Sequence, residues 1–215
     1  MIQLSISAAT TYVRKILDEF TSVEDIGMLA SPDGVDLHRL VEGFAVEAVA
    51  KVHNAAPSLY LDGQKGTLAT DYSADFDQYD NGVVVIKMLK DTLRVASVKA
   101  SDSNYVVANI VAEDSAEGRK QQNKYVRGVP DDPCVVLQKV WSAEYKPVLK
   151  YYSTTATECP VFDIEYIPYP EIEEAIIMIC PKLEYHVLNE IAAMVLDALN
   201  EHDKAAMYHT KAQEF

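Results

Sequence analysis

The sequence predicts an α+β fold in which both chain ends build a helical part and a β-rich domain is inserted between them. Two observations carry this expectation. Apolar residues recur at helical spacing near both ends, and the middle is a succession of short β-branched runs separated by turn residues. The resulting order is helix, helix, β-domain, helix, helix, with boundaries expected at 1–65, 66–170 and 171–215, the first and last forming one structural unit.

In the first helix Ala9, Val13, Ile16, Leu17 and Phe20 share a face, with Ser7 as the expected N-cap. The stretch SPDG breaks the pattern. A second helix starts near Asp36 and carries the stripe Leu37, Leu40, Val41, Phe44, Ala45, Ala48 and Val52. Arg39, Glu42 and Lys51 lie off that stripe, and Pro57 stops the helix.

Strands are expected from about residue 66 to 168. Asp80-Asn81-Gly82 is a hairpin signal before VVVIKM. TLRVASVKA, YVVANIVA, CVVLQKV, PVLKYYS and FDIEYIP follow at fairly regular spacing. A long polar connection at 112–133, with a helical turn expected from Asp114 or Ser115, interrupts them. Connections of that length in a compact domain usually serve a function or a partner.

The last long helix, 181–200, carries two apolar stripes. Leu183, Val187, Ile191, Met194 and Ala198 form one, and Leu188, Ala192, Val195 and Leu199 the other. Such width implies packing on two sides. The closing stretch EHDKAAMYHTKAQEF reads as a short amphipathic helix whose modest face, Ala205, Ala206 and Met207, suits partners rather than the core.

Composition narrows the function. Hydrophobic residues at 49% and charged residues at 24% argue against disorder, and a net charge of −14 disfavours nucleic-acid binding. No run approaches the roughly 18 apolar residues of a membrane span, and the start does not read as a signal peptide. Cys134, Cys159 and Cys180 form no CxxC pair and read as small hydrophobes in a reducing cytoplasm.

Several constellations bear residue types that could carry chemistry. Arg119, Lys120, Lys124 and Arg127 surround Tyr125 with no acid between Gly118 and Pro130. The cluster suits a solvated loop, a loop docking on acidic surface of a neighbour, or, less well, DNA contact. Asp71, Asp75, Asp77 and Asp80 resemble a calcium loop, but the sixth and twelfth positions hold Phe76 and Gly82 where glycine and glutamate are needed. His38, His53, His186, His202 and His209 show no ligand spacing; His202 and His209 could share a helix face, but without a third ligand no metal is expected. Glu173-Glu174 reads as helix-start charge or plain surface. The cysteines sit in an apolar strand or beside prolines, poor places for a thiolate. No catalytic motif occurs, so no catalytic residue and no cofactor is expected. The aromatic stretch YYSTTATECPVFDIEYIPYP reads as a pair of core strands rather than a carbohydrate- or peptide-binding edge.

Within 86–137 the order Leu93-Arg94-Val95-Ala96-Ser97-Val98, Glu113-Asp114-Ser115 with Glu117, Asn123 with Tyr125, Arg127-Gly128, Pro130 and Pro133 resembles the head-to-tail connector (adaptor or ring) proteins of tailed bacteriophages. The long helix, the turn at 200–205 and the short last helix resemble that family too. The flavour also suits a ring protein of the crAss-like phages. The family's tryptophan after the "VSV" strand is replaced here by Ser101-Asp102-Ser103, and the only tryptophan is Trp141.

The resemblance implies a virion protein assembled in the host cytoplasm. It would form a ring, commonly a dodecamer, contacting itself, the portal protein and neighbouring ring or tail-tube proteins. Genome DNA would pass through its lumen without specific binding, and no reaction or membrane is involved. Rival readings are a tail-hub or head-decoration subunit of the same particle, or a β-rich binding module of a bacterial host. The last would want an export signal or lipobox, which the sequence lacks.

Overall fold

The computed structural model describes residues 1–20, 36–80, 82–129, 131–138, 146–152 and 158–215. The SPDG linker, Asn81, Pro130, Trp141 and residues 153–157 lie outside them. In chain order the elements begin with β1 (Ile2–Ser5), α1 (Ile6–Phe20), α2 (Leu37–Ala55), β2 (Gln64–Lys65), β3 (Tyr72–Phe76), β4 (Val83–Met88) and β5 (Thr92–Ala100). Then come β6 (Ile110–Ala112), α3 (Ala116–Gln121), β7 (Cys134–Gln138), β8 (Val148–Tyr152) and β9 (Phe162–Pro168). β10 (Ile172–Glu173), β11 (Ile176–Ile179), α4 (Glu184–Ala198) and α5 (His202–Gln213) complete the chain. The fold is α+β, in two compact units: Met1–Asp62 with Pro170–Phe215, and Gly63–Tyr169.

The discontinuous unit holds the long helices and a small sheet absent from the sequence reading. β1 pairs antiparallel with β11, from Ile2↔Ile179 to Ser5↔Ile176, and β10 pairs with β11 on the other side. Helix α1 follows β1 directly. Its cap is therefore Ser5, whose Oγ accepts from the Ala8 N–H at 3.1 Å, and not Ser7. Asp36 caps α2 as expected, accepting from the His38 and Arg39 amides at 3.1 and 3.4 Å. Glu173-Glu174 is exposed surface, the second of the two readings, and not a helix start: Glu174 and Ala175, at φ 51° and 62°, form the tight turn between β10 and β11.

Helix α4 is the centre of this unit. Val187, Ile191, Ala192, Ala193, Val195 and Leu196 are buried, because α1, α2 and α5 all pack on it; Leu188 and Met194 are half-buried. The last helix lies on the side of α4 that carries Glu190 and Asp197, where His209 meets both carboxylates. Helix α5 contributes Ala205, Tyr208 and Ala212 to the core, at the i, i+3, i+7 spacing of one face, whereas Ala206 and Met207 are exposed. Between the helices Asn200 takes the left-handed conformation at φ 63°, and the Glu201 N–H reaches the Leu196 carbonyl at 2.9 Å.

The continuous unit holds two sheets, of order β2-β9-β5 and β3-β4-β8-β7-β6. One core draws on both, including Tyr72, Ile86, Val98, Leu149, Tyr151, Phe162, Ile164 and Tyr166. The aromatic stretch thus supplies core strands in its described parts. YVVANIVA is not the full strand expected: only Ile110–Ala112 is strand, and Val107 makes an isolated bridge to Val98. Strand β6 runs parallel to β7, whereas the other pairings between named strands are antiparallel. Parallel neighbours cannot be joined by a tight turn. The long connection at 113–133 is that crossover, so its length has a topological cause.

Candidate interaction surface

The crossover carries the basic cluster, and its local structure follows from capping. Ser115 Oγ accepts from the Gly118 N–H at 2.9 Å and starts α3. Gly118 lies so close to the Ala112 carbonyl that no side chain fits there. Gln121 is buried, and its Oε1 accepts from the Gly128 N–H at 2.7 Å, tying the end of the helix to the return path.

The four cations do not act alike. Arg127 is half-buried, and its Nη1 binds Asp80 Oδ1 at 2.8 Å, pinning the crossover to the turn between β3 and β4. Lys124 Nζ stands 3.6 Å from the same oxygen, and Lys120 pairs with Glu117 at 3.0 Å. Arg119 Nε rests on the Ser115 carbonyl at 3.4 Å. One of the four does more than a solvated or docking loop requires: Arg127 supports the fold, and a glutamate there would face Asp80. Tyr125, 96% exposed, projects from this pinned loop.

Three of the four aspartates that resembled a calcium loop, Asp71, Asp77 and Asp80, take different cations. Asp77 takes Lys150 Nζ at 2.8 Å and the Tyr79 amide at 2.9 Å, while Asp71 takes Lys90 and the Thr67 amide at 2.8 Å. The Lys150 and Lys90 ammonium groups hold these two carboxyls below the usual carboxylate range. Among the described residues no group of histidine, cysteine, aspartate and glutamate is arranged to hold a metal ion.

Beside the crossover lies a cleft of about 410 Å³, lined by Tyr105, Val106, Val126, Val129 and Cys134 among others. Burial pushes the Cys134 thiol up to about 11, which leaves it a thiol at neutral pH and a poor nucleophile. Burial raises Cys159 and Cys180 as well.

In the helical unit His202 and His209 do meet, through carboxylates that the sequence reading missed. Asp197 takes His202 Nδ1 and His209 Nε2, each at 3.1 Å, and these bonds, His202's first, hold its carboxyl low. His209 Nδ1 reaches Glu190 at 3.0 Å, and Glu190, 1% exposed, pairs with Lys51 at 2.5 Å. The network ties α2, α4 and α5 together through a buried charge. Helical spacing of Glu190 and Asp197 (i, i+7) was the one available signal.

A second exposed aromatic surface was also missed, because its residues are scattered along the chain. Leu59 is 79% and Tyr185 54% exposed. Phe215 stacks at 4.7 Å on His186 and at 6.1 Å from Tyr60, and Tyr185 meets His186 edge-on at 5.9 Å. Lys182 donates to the Leu59 carbonyl at 3.0 Å.

No helix among the described residues is long and apolar enough to cross a membrane. No protein-family model and no curated protein matches the chain.

Proposed function

We propose that this protein is a structural, non-catalytic subunit of a tailed-phage particle: a head-to-tail connector whose copies form a ring between portal and tail. The observation that carries the reading is Tyr125, 96% exposed on a crossover that Ser115, Gln121 and Arg127 hold in place. An aromatic side chain presented to solvent on a rigid support costs little entropy to bind, which is the chemistry of an interface anchor. The same crossover carries the motif residues from Glu113 to Pro133 that resemble the connector family. A net charge of −14 suits a wall past which DNA must slide without sticking.

The test is electron cryo-microscopy of the purified protein, alone and mixed with the portal protein of the same phage. Closed rings, alone or seated on portal, are expected. A protein that stays monomeric in both samples and does not bind portal overturns the proposal.

A further inference from the structure

We infer that copies of this chain join head to tail by seating the Tyr125 loop of one copy on the Leu59–Tyr60–Tyr185–Phe215 surface of the next. This rests on the ring reading and specifies its contact. A heterologous interface closes into a ring only if each subunit offers two different patches that complement one another. Among the described residues aromatic side chains are exposed on both units, including Tyr79, Tyr105 and Tyr125 on one and Tyr185 beside the half-buried Tyr60 and Phe215 on the other, and the surroundings of Tyr125 and Tyr185 differ in charge.

The loop side is cationic. Residues 119–127 contain four Lys/Arg and no Asp/Glu, a charge of +4, so the rest of the chain carries −14 − 4 = −18. Asp80 and Glu117 hold part of that charge, but Lys124 is 65% exposed, and Arg119 is exposed with no carboxylate in contact among the described residues. Lys124 stands next to Tyr125 in the chain, and Arg119 lies in the helix before it.

The opposing side is rimmed by acid. Glu184 and Glu214 are both exposed and stand next in chain to Tyr185 and Phe215. The one lysine among these residues, Lys182, is turned onto the Leu59 carbonyl and lies 6.0 Å over the Tyr60 ring. Tyr125 and Arg119 against Tyr185, Leu59 and Glu184 is the pairing of aromatic, arginine and aliphatic groups that dominates well-packed protein interfaces. A second copy is the occupant because its surface supplies both the acid and the aromatic platform. Nucleic acid, by contrast, would be repelled by everything outside the loop.

The experiment uses the full chain, with assembly scored by light scattering after size exclusion and by electron microscopy, with and without portal. Tyr125→Ala is expected to abolish rings while leaving the melting temperature unchanged, since the side chain touches little of its own fold. Arg119→Glu with Lys124→Glu, and separately Glu184→Lys with Glu214→Lys, should each weaken assembly at least tenfold. All four changes in one chain should restore it, because the charges are then exchanged. Rings from Tyr125→Ala, or a fourfold variant no better than either pair, overturn this contact while leaving the ring reading intact. A wild-type protein that never assembles overturns both.

Discussion

His53 shows how much one side chain can decide. It is fully buried; its Nδ1–H donates to the Val49 carbonyl at 2.8 Å, and its Nε2 accepts from the Cys180 N–H at 3.1 Å. That arrangement requires the neutral imidazole, and desolvation by burial lowers its pKa accordingly. An unfolded histidine titrates near 6.5, so just below that pH the unfolded chain binds a proton that the folded one refuses. The His53 contribution is therefore complete above about pH 6.5 and is lost on acidification, at up to about 1.4 kcal/mol per pH unit, until the folded imidazole titrates. Urea midpoints of wild type and His53→Gln, compared between pH 7.5 and 5, should show a steeper acid decline in wild type; parallel curves would refute the assignment. None of this was legible in the sequence. The partners are backbone atoms, one of them 127 residues away, and a backbone amide leaves no mark on residue identity. Arg127 was legible as a cation but not as the partner of Asp80, for the same reason of distance along the chain.

At the scale of elements, α5 matters most. It covers α4 with Ala205, Tyr208 and Ala212, and it brings His209 to the buried Glu190. Removing residues 202–215 uncovers an apolar face and leaves Glu190 with Lys51 alone, so the truncated chain is expected to be insoluble or to melt without cooperativity. Within α4, Ile191→Ala should cost about 2–5 kcal/mol, since that side chain is fully buried. Circular dichroism and solubility measure both; a soluble truncation with a sharp melt would return α5 to the periphery. Helices were easy to read because caps such as Asp36 and Ser115 and the 3.6-residue stripe are local signals. The β1–β11–β10 sheet was not. Its strands are two to four residues long, β1 runs straight into a helix, and its turn uses Glu174 and Ala175 where Asn-Gly would have announced it.

For the whole molecule the governing fact is that one unit interrupts another. Gln64 pairs with Tyr166, so the inserted unit begins and ends on neighbouring strands and needs nothing else to bring its ends together. Residues 63–169 expressed alone should give a β-type far-UV spectrum and a cooperative melt; a fragment lacking a melt would contradict that autonomy. This nesting was readable from sequence, because helical periodicity flanks a β-branched middle, with the joins found at 62/63 and 169/170. What could not be read was why 113–133 is long, since parallel pairing of β6 and β7 is a relation between strands and not a property of either. The interruption also sets an order of events on the ribosome. At about 5–20 residues per second, α1 and α2 emerge and then wait on the order of 5–20 s while the inserted unit is translated, before α4 exists to receive them. During that interval Val13, Val41, Ala45 and Val52, all buried in the finished protein, face the solvent on a nascent chain. The inserted unit can finish folding in the meantime. The N-terminal helices are thus the stretch that a nascent-chain chaperone would hold, and α4, arriving after the inserted unit, is what releases it.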